Sequence, residues 1–173
     1  MDFDPSVDLH TTLTNHPSAL AYPEDIKAYL EEELSHKAIM GPFSKPPLQN
    51  LHVSPFLTRD KPNSDHRRVI MALSYPKGNS VNAGVDSATY LGTKFLLTLP
   101  SIDLITQKVK NLGKGCLIYK IDISRAFRHL TIDPYDSNLL GLQVNGQYFY
   151  DLNLPFGYRH GSSFFQRISD AIL

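Results

Sequence analysis

The run LLGLQVNGQYFYDL, residues 139–152, constrains the fold of this chain more than any other stretch. Asn145-Gly146 separates two apolar-rich runs. A two-residue loop of that composition adopts a turn with positive φ at both residues, and its twist matches that of two antiparallel strands. The chain therefore contains an antiparallel hairpin here. Helical signals lie on both sides of it, so the fold class is α+β, an antiparallel sheet with packed helices.

Pro23 suits the first turn of a helix, and Glu24 and Asp25 favour its dipole. Ile26, Tyr29, Leu30 and Leu34 follow at helical spacing, which predicts an amphipathic helix over 23–38, ended by Gly41-Pro42. The prolines of SKPPLQN (44–50) hold it extended. LHVSPFLTR (51–59) and RRVIMALS (67–74) read as two strands around the turn-rich tip DKPNSDH (60–66), a second hairpin with basic residues near its end. A helix over 101–112 has Ser101 as N-cap, Ile102, Ile105, Val109 and Leu112 as its apolar face and Gly113 as its stop. A short strand is expected near 128–132 and a helix over 162–172. Residues 1–21 show no period and read as a loose arm.

The 173 residues suffice for one compact domain, and 42% hydrophobic with 20% charged residues is a globular composition. A single cysteine, Cys116, excludes an internal disulfide and a cysteine zinc cage. Seven histidines without H-x-H or H-x-x-x-H spacing argue against a zinc site. Ser162-Ser163 has no evident histidine–acid partner, which argues against a serine hydrolase. No apolar run reaches the roughly 20 residues of a membrane span, and MDFDPSVDLH lacks the basic start of a signal peptide. The expected location is intracellular, cytoplasm or nucleus. Net charge is zero, but residues 1–42 carry −6 and residues 43–78 carry +4. A basic segment of this kind suits phosphate binding, or is a solvated face.

CLIYKIDI (116–123) reads as an apolar strand with a carboxylate near its end. An unpaired carboxylate inside a buried strand is costly. At the strand's end it suits a hard cation, because Mg²⁺ takes carboxylate and phosphate oxygens and a strand holds the ligand firmly. A surface aspartate or a hydrogen-bonded core aspartate is the ordinary alternative.

Asp122, with Phe127 five positions on and RHLTIDPYD after it, resembles motif A of reverse transcriptases. LPFGYRHGSSFFQ (154–166) resembles their motif B, and RRVIMALSYPKGNSVNAG (67–84) their fingers motif. The style is that of DIRS-like and long-terminal-repeat retrotransposons. The resemblance covers about 22–173 and rests on three motifs in order, which is far more specific than one short pattern. It implies a right-hand polymerase fold, of which the chain holds the fingers and a partial palm (22–173) behind an N-terminal arm (1–21). The intact parent would be an RNA-directed DNA polymerase that copies RNA or DNA templates into DNA. Its partners would be template-primer and deoxynucleoside triphosphates.

The resemblance also implies roles. Asp122 and the backbone carbonyl of Ile123 would hold catalytic Mg²⁺, with Mn²⁺ as the alternative ion. Lys61 and Arg68, seven apart, would bind triphosphate, and Arg67 would face the other side of its strand. Phe127 would lie under the incoming sugar and exclude a 2′-hydroxyl, or serve as ordinary core. Phe156 and Gly157 would meet the nucleotide and template, and Arg159 the template phosphate unless it is a plain surface arginine. The chain departs from the family where Phe156 replaces a common glutamine, Gly161-Ser162 a common Ser-Pro, and Ala72 a common aspartate. No Asp-Asp dipeptide occurs, so the chain reads as truncated before the Y-x-D-D hairpin. One carboxylate cannot do the work of three, so the chain alone reads as inactive. The alternative is a non-catalytic remnant that binds nucleic acid or a protein.

Overall fold

The computed structural model describes residues 1–9, 13–95 and 97–172. Residues 10–12 of the expected arm and Leu173 at the end of the expected domain lie outside them. A four-residue turn, α1 (Pro17–Leu20), leads into α2 (Pro23–Ser35), which buries Ile26, Leu30 and Glu33. Pro23 opens α2 as expected, but the helix stops at Ser35, before Gly41-Pro42. Lys37 takes the left-handed conformation, with φ 55°. Gly41-Pro42 then lies inside β1 (Ile39–Phe43), at an irregularity in the pairing. Gly41 has φ 143°, and a Cβ on it would run into the Phe149 ring. Its glycine therefore serves close strand packing and does not stop the helix.

Strands β2 (Phe56–Asp60) and β3 (Arg67–Met71) form the second hairpin, from Phe56 opposite Met71 to Asp60 opposite Arg67. The strand is shorter than 51–59, because Val53 bridges to Gly141 instead. SKPPLQN is a set of bends and turns. A 3₁₀ turn, Val81–Gly84, precedes the small pair β4 (Thr89–Tyr90) and β5 (Thr93–Lys94). Helix α3 (Ile102–Leu112) has the expected caps: Ser101 Oγ accepts from the Leu104 N–H at 3.1 Å, and Gly113 follows with φ 84°. Its apolar face is not buried; Ile102 and Leu112 are exposed.

The expected strand over 116–123 does not form, and Leu117 is 95% exposed. A strand exists only when its backbone groups find a ladder partner, and no described segment supplies one. Cys116, at the start of that expected strand, is half-buried in a loop. The short strand near 128–132 reduces to a 3₁₀ turn, Ala126–His129, and one bridge, Thr131 to Asn153. A further 3₁₀ turn, Pro134–Leu139, is capped by Asp133.

The hairpin expected within 139–152 follows as β6 (Gly141–Val144) and β7 (Gln147–Asp151), with Asn145 at φ 50° and Gly146 at φ 76°. Strand β1 pairs with the far edge of β7, giving the order β1-β7-β6, all antiparallel. Helix α4 (Gly161–Ile172) closes the described chain. The core lies between α2, the β2–β3 hairpin and this sheet, around the fully buried Phe56, Leu140 and Leu142. No described helix is long and apolar enough to cross a membrane.

Residues 1–9 and 13–21 are not loose. Phe3 bridges to Val85 and fills the space left by the missing side chain of Gly84. The Asp4 N–H donates to the Gly84 carbonyl at 2.7 Å, and Tyr158 Oη donates to the Met1 carbonyl at 2.6 Å. Asn15 Nδ2 donates to the Gln143 carbonyl at 2.9 Å, while its Oδ1 accepts from the Phe56 N–H at 2.8 Å. The strap is fastened by hydrogen bonds and by scattered apolar contacts from Met1, Phe3, Leu9 and Ala19, and so it shows no period.

Candidate nucleotide and nucleic-acid site

Phe127 sits on the 3₁₀ turn Ala126–His129, which charged side chains tie to α2. Arg125, itself at φ 56°, donates from Nη1 to Glu32 and from Nη2 to Glu33, both at 2.8 Å. Arg128 is buried; its Nε lies 3.1 Å from Glu33, and its Nη2 donates to Tyr29 Oη at 2.5 Å. Arg128 Nη1 donates to the Asn153 carbonyl at 2.9 Å and pairs with Asp151 Oδ1. Burial pushes the Asp151 carboxyl up to about 7, against the pull of Arg128. Burial also works against the Arg128 charge, but Asp151, Tyr29 and Glu33 outweigh it and raise Arg128 further. Sequence reasoning missed this cluster. The signal was available: Asp151 ends an apolar strand just as Asp122 ends an apolar run.

The anchored turn presents the Phe127 ring to Phe156 at 4.7 Å, with Phe165 edge-on at 6.1 Å. A Cβ on Gly161 would lie 3.6 Å from the same ring. The structure thus brings together residues expected of two separate motifs. Phe156 is 55% exposed, so an aromatic face is left open to solvent. Gly157 follows with φ 101°, and a Cβ there would lie 3.2 Å from the Met71 carbonyl. The loop packs closely against the end of β3 at a point where only glycine is unstrained. Arg159 is exposed, but its Nη1 donates to the Val85 carbonyl at 2.5 Å.

Asp122 and Ile123 are exposed and line two adjoining clefts. One, of about 300 Å³, is apolar, with Ile121, Ala126 and Phe165. The other, of about 580 Å³, holds His36, Ser124, Arg125 and His129. Among the described residues no group of three or more His, Cys, Asp or Glu side chains could hold a metal ion. A single exposed carboxylate and one carbonyl do not fit a two-ion centre.

Lys61 lies exposed at the tip of the β2–β3 hairpin, and Arg68 is exposed on β3 directly opposite Arg59. Two like charges in that register repel, and an anion between them would relieve it. Arg67 turns the other way, as strand alternation requires. Its guanidinium lies 4.0 Å over the Tyr22 ring, bonds Thr58 Oγ1 at 2.9 Å and pairs with Asp60. No hydrogen bond or ion pair among the described residues joins Lys61 or Arg68 to Asp122, Phe127 or Phe156.

No protein-family model matches the chain. Over 75 residues, 43% of the chain, it is 33% identical to the retrovirus-related Pol polyprotein from transposon gypsy of Drosophila melanogaster, of which it covers 7%. Among solved structures it superposes on a mutant protease-reverse transcriptase of prototype foamy virus with a TM-score of 0.64 at 12% identity, over 97% of this chain and 20% of that one. It superposes on the foamy viral protease-reverse transcriptase in complex with double-stranded DNA with a TM-score of 0.63 at 15% identity, over 98% and 25% of the two chains. The native prototype foamy virus enzyme gives 0.61 at 15% identity, over 99% and 20%. The chain therefore spans a quarter or less of each of these proteins. Together these likenesses support a retroelement pol-derived domain with a mixed α/β fold and antiparallel sheets similar to the foamy virus protease-reverse transcriptase.

Proposed function

We propose that the chain is the fingers and partial palm of a retroelement reverse transcriptase, acting inside the cell on template-primer and deoxynucleoside triphosphates. The observation that carries this reading is the contact of Phe127 with Phe156, which joins the motif A and motif B segments beside the Asp122 clefts. In this reading Phe127 takes the sugar face of the incoming nucleotide, and Phe156 and Gly157 meet its base and the template. Lys61 and Arg68 neutralise the triphosphate, and Arg159 takes template phosphate. Asp122 and the Ile123 carbonyl contribute ligands for Mg²⁺ or Mn²⁺ in the intact polymerase, where further carboxylates complete the centre. Nucleic acid is gripped through backbone and shape, with little reading of sequence.

A second reading, a non-catalytic module that binds nucleic acid, is favoured by the absence of a metal-holding cluster among the described residues. The test is two-armed. Fluorescence anisotropy with a labelled RNA–DNA hybrid is expected to show binding that weakens steeply with salt, and its absence defeats both readings. Primer extension by residues 1–173 with Mg²⁺ or Mn²⁺ is expected to stay at background. An in-frame parent that adds a Y-x-D-D hairpin is expected to extend the primer. An inactive parent that still binds the hybrid leaves the second reading standing.

A further inference from the structure

Asn82 connects the two halves of this site. It is only 4% exposed, and its side-chain amide is fully satisfied. Nδ2 donates to Ser74 Oγ at 2.8 Å and to the Gly157 carbonyl at 2.7 Å, and Oδ1 accepts from the Arg159 N–H at 2.9 Å. The Asn82 N–H donates to the Leu73 carbonyl at 2.9 Å. One residue therefore holds the chain leaving β3 on one side and the Phe156–Arg159 loop on the other. Two further contacts reinforce the junction. Gly157 packs against the Met71 carbonyl, and Arg159 Nη1 reaches the Val85 carbonyl. Arg68 stands three residues before Met71 on the same strand.

We infer that Asn82 is a positioning residue: it fixes the Phe156-Gly157 loop against the base of the basic hairpin, so that triphosphate and base are held at one spacing. This rests on the reverse-transcriptase reading. An amide suits the task because it offers two donors and one acceptor in a single plane. Aspartate would keep the acceptor for Arg159 but set a carboxylate against the Gly157 carbonyl. Alanine would remove both bonds at once, releasing the Gly157 carbonyl and the Arg159 N–H from the buried Asn82 side chain.

The experiment compares the full chain with its Asn82→Ala, Asn82→Asp and Ser74→Ala variants, by amide hydrogen exchange and by titration with the Mg²⁺ complex of dTTP. In Asn82→Ala, exchange at the Arg159 amide is expected to quicken by about tenfold or more, and affinity for the nucleotide to fall by about tenfold, the worth of one buried bond. Amides of β6, β7 and α2 are expected to keep their protection. Asn82→Asp is expected to keep the Arg159 amide protected yet still lose affinity, because the Gly157 side is released. Ser74→Ala removes one of the three side-chain bonds but leaves the Asn82 N–H on the Leu73 carbonyl, so it is expected to fall between the parent and Asn82→Ala in both readouts. The inference is overturned if the Arg159 amide exchanges at its parental rate in Asn82→Ala. It is overturned equally if protection falls uniformly across β6, β7 and α2, or if the loop loosens while nucleotide affinity holds. A parental chain that does not bind the nucleotide defeats the functional reading and the nucleotide half of the inference together. The exchange arm then still decides whether Asn82 fixes the loop.

Discussion

Asp151 is fully buried, and its Oδ2 accepts no hydrogen bond among the described residues, while Oδ1 is held by Arg128. Burying such a pair brings little net stability, but removing one member leaves an uncompensated charge. Because burial raises this carboxyl from its ordinary 3.8 to about 7, the folded chain keeps a proton that the unfolded chain releases between those values. The contribution of this group is fully present below about pH 4 and is lost as the pH climbs through about 7. Asp151→Asn cannot titrate. Urea unfolding of parent and variant is therefore expected to show the difference in unfolding free energy moving in the variant's favour from pH 4 to pH 7. A difference independent of pH would contradict the burial argument. Asp122 is the opposite case. It is exposed, so Asp122→Asn is expected to change stability by no more than about 0.5 kcal/mol. A loss several times larger in denaturant melts would mark it as a structural acid.

Among the elements, the β6–β7 hairpin was legible because its turn is encoded locally: Asn145 and Gly146 tolerate the positive φ that the tight reversal needs. Replacing Gly146, at φ 76°, by alanine is expected to destabilise the chain by about 1 kcal/mol through backbone strain. The space around it is open, so no clash contributes. Equilibrium unfolding would show this, and no loss would mean that the turn has rearranged. The ends of α3 were legible for the same reason, since Ser101 and Gly113 act on their own helix. The segment 116–123 was not. Its apolar, β-branched content shows only that the segment suits a strand, whereas the partner that makes a strand is set by distant chain. The site divides along the same line. The alternation that sends Arg68 out and Arg67 inward followed from the strand period, whereas the approach of Phe127 to Phe156 is a tertiary contact that neither segment states alone. The Asn82 connection is tertiary and no local pattern announces it, while the Arg128 cluster showed in sequence only as the carboxylate that ends β7, with its partners unstated. For the basic hairpin, a folded Lys61→Ala, Arg68→Ala double variant is expected to bind the RNA–DNA hybrid more weakly and with a shallower salt slope. An unchanged slope would return both residues to a merely solvated face.

At the scale of the whole molecule, the strap of residues 1–9 and 13–21 ties remote parts together. It touches the 3₁₀ turn Val81–Gly84, the start of β2, the end of β6 and Tyr158. Phe3→Ala empties the space over Gly84 and is expected to cost about 2 kcal/mol in a thermal or urea melt. A variant as stable as the parent would mean that the strap rests on its hydrogen bonds and its other core contacts, without the Phe3 ring. The strap also sets an order of events during synthesis. Residues 1–9 leave the ribosome long before Tyr158, whose hydroxyl anchors Met1. At roughly 5–20 residues per second, that interval is on the order of ten seconds or more. For its duration Phe3 has no completed surface to cover, and residues 1–9 are open to chaperones and proteases. The strap is made before the surface that locks it, so a pause before Tyr158 prolongs the exposure of residues 1–9.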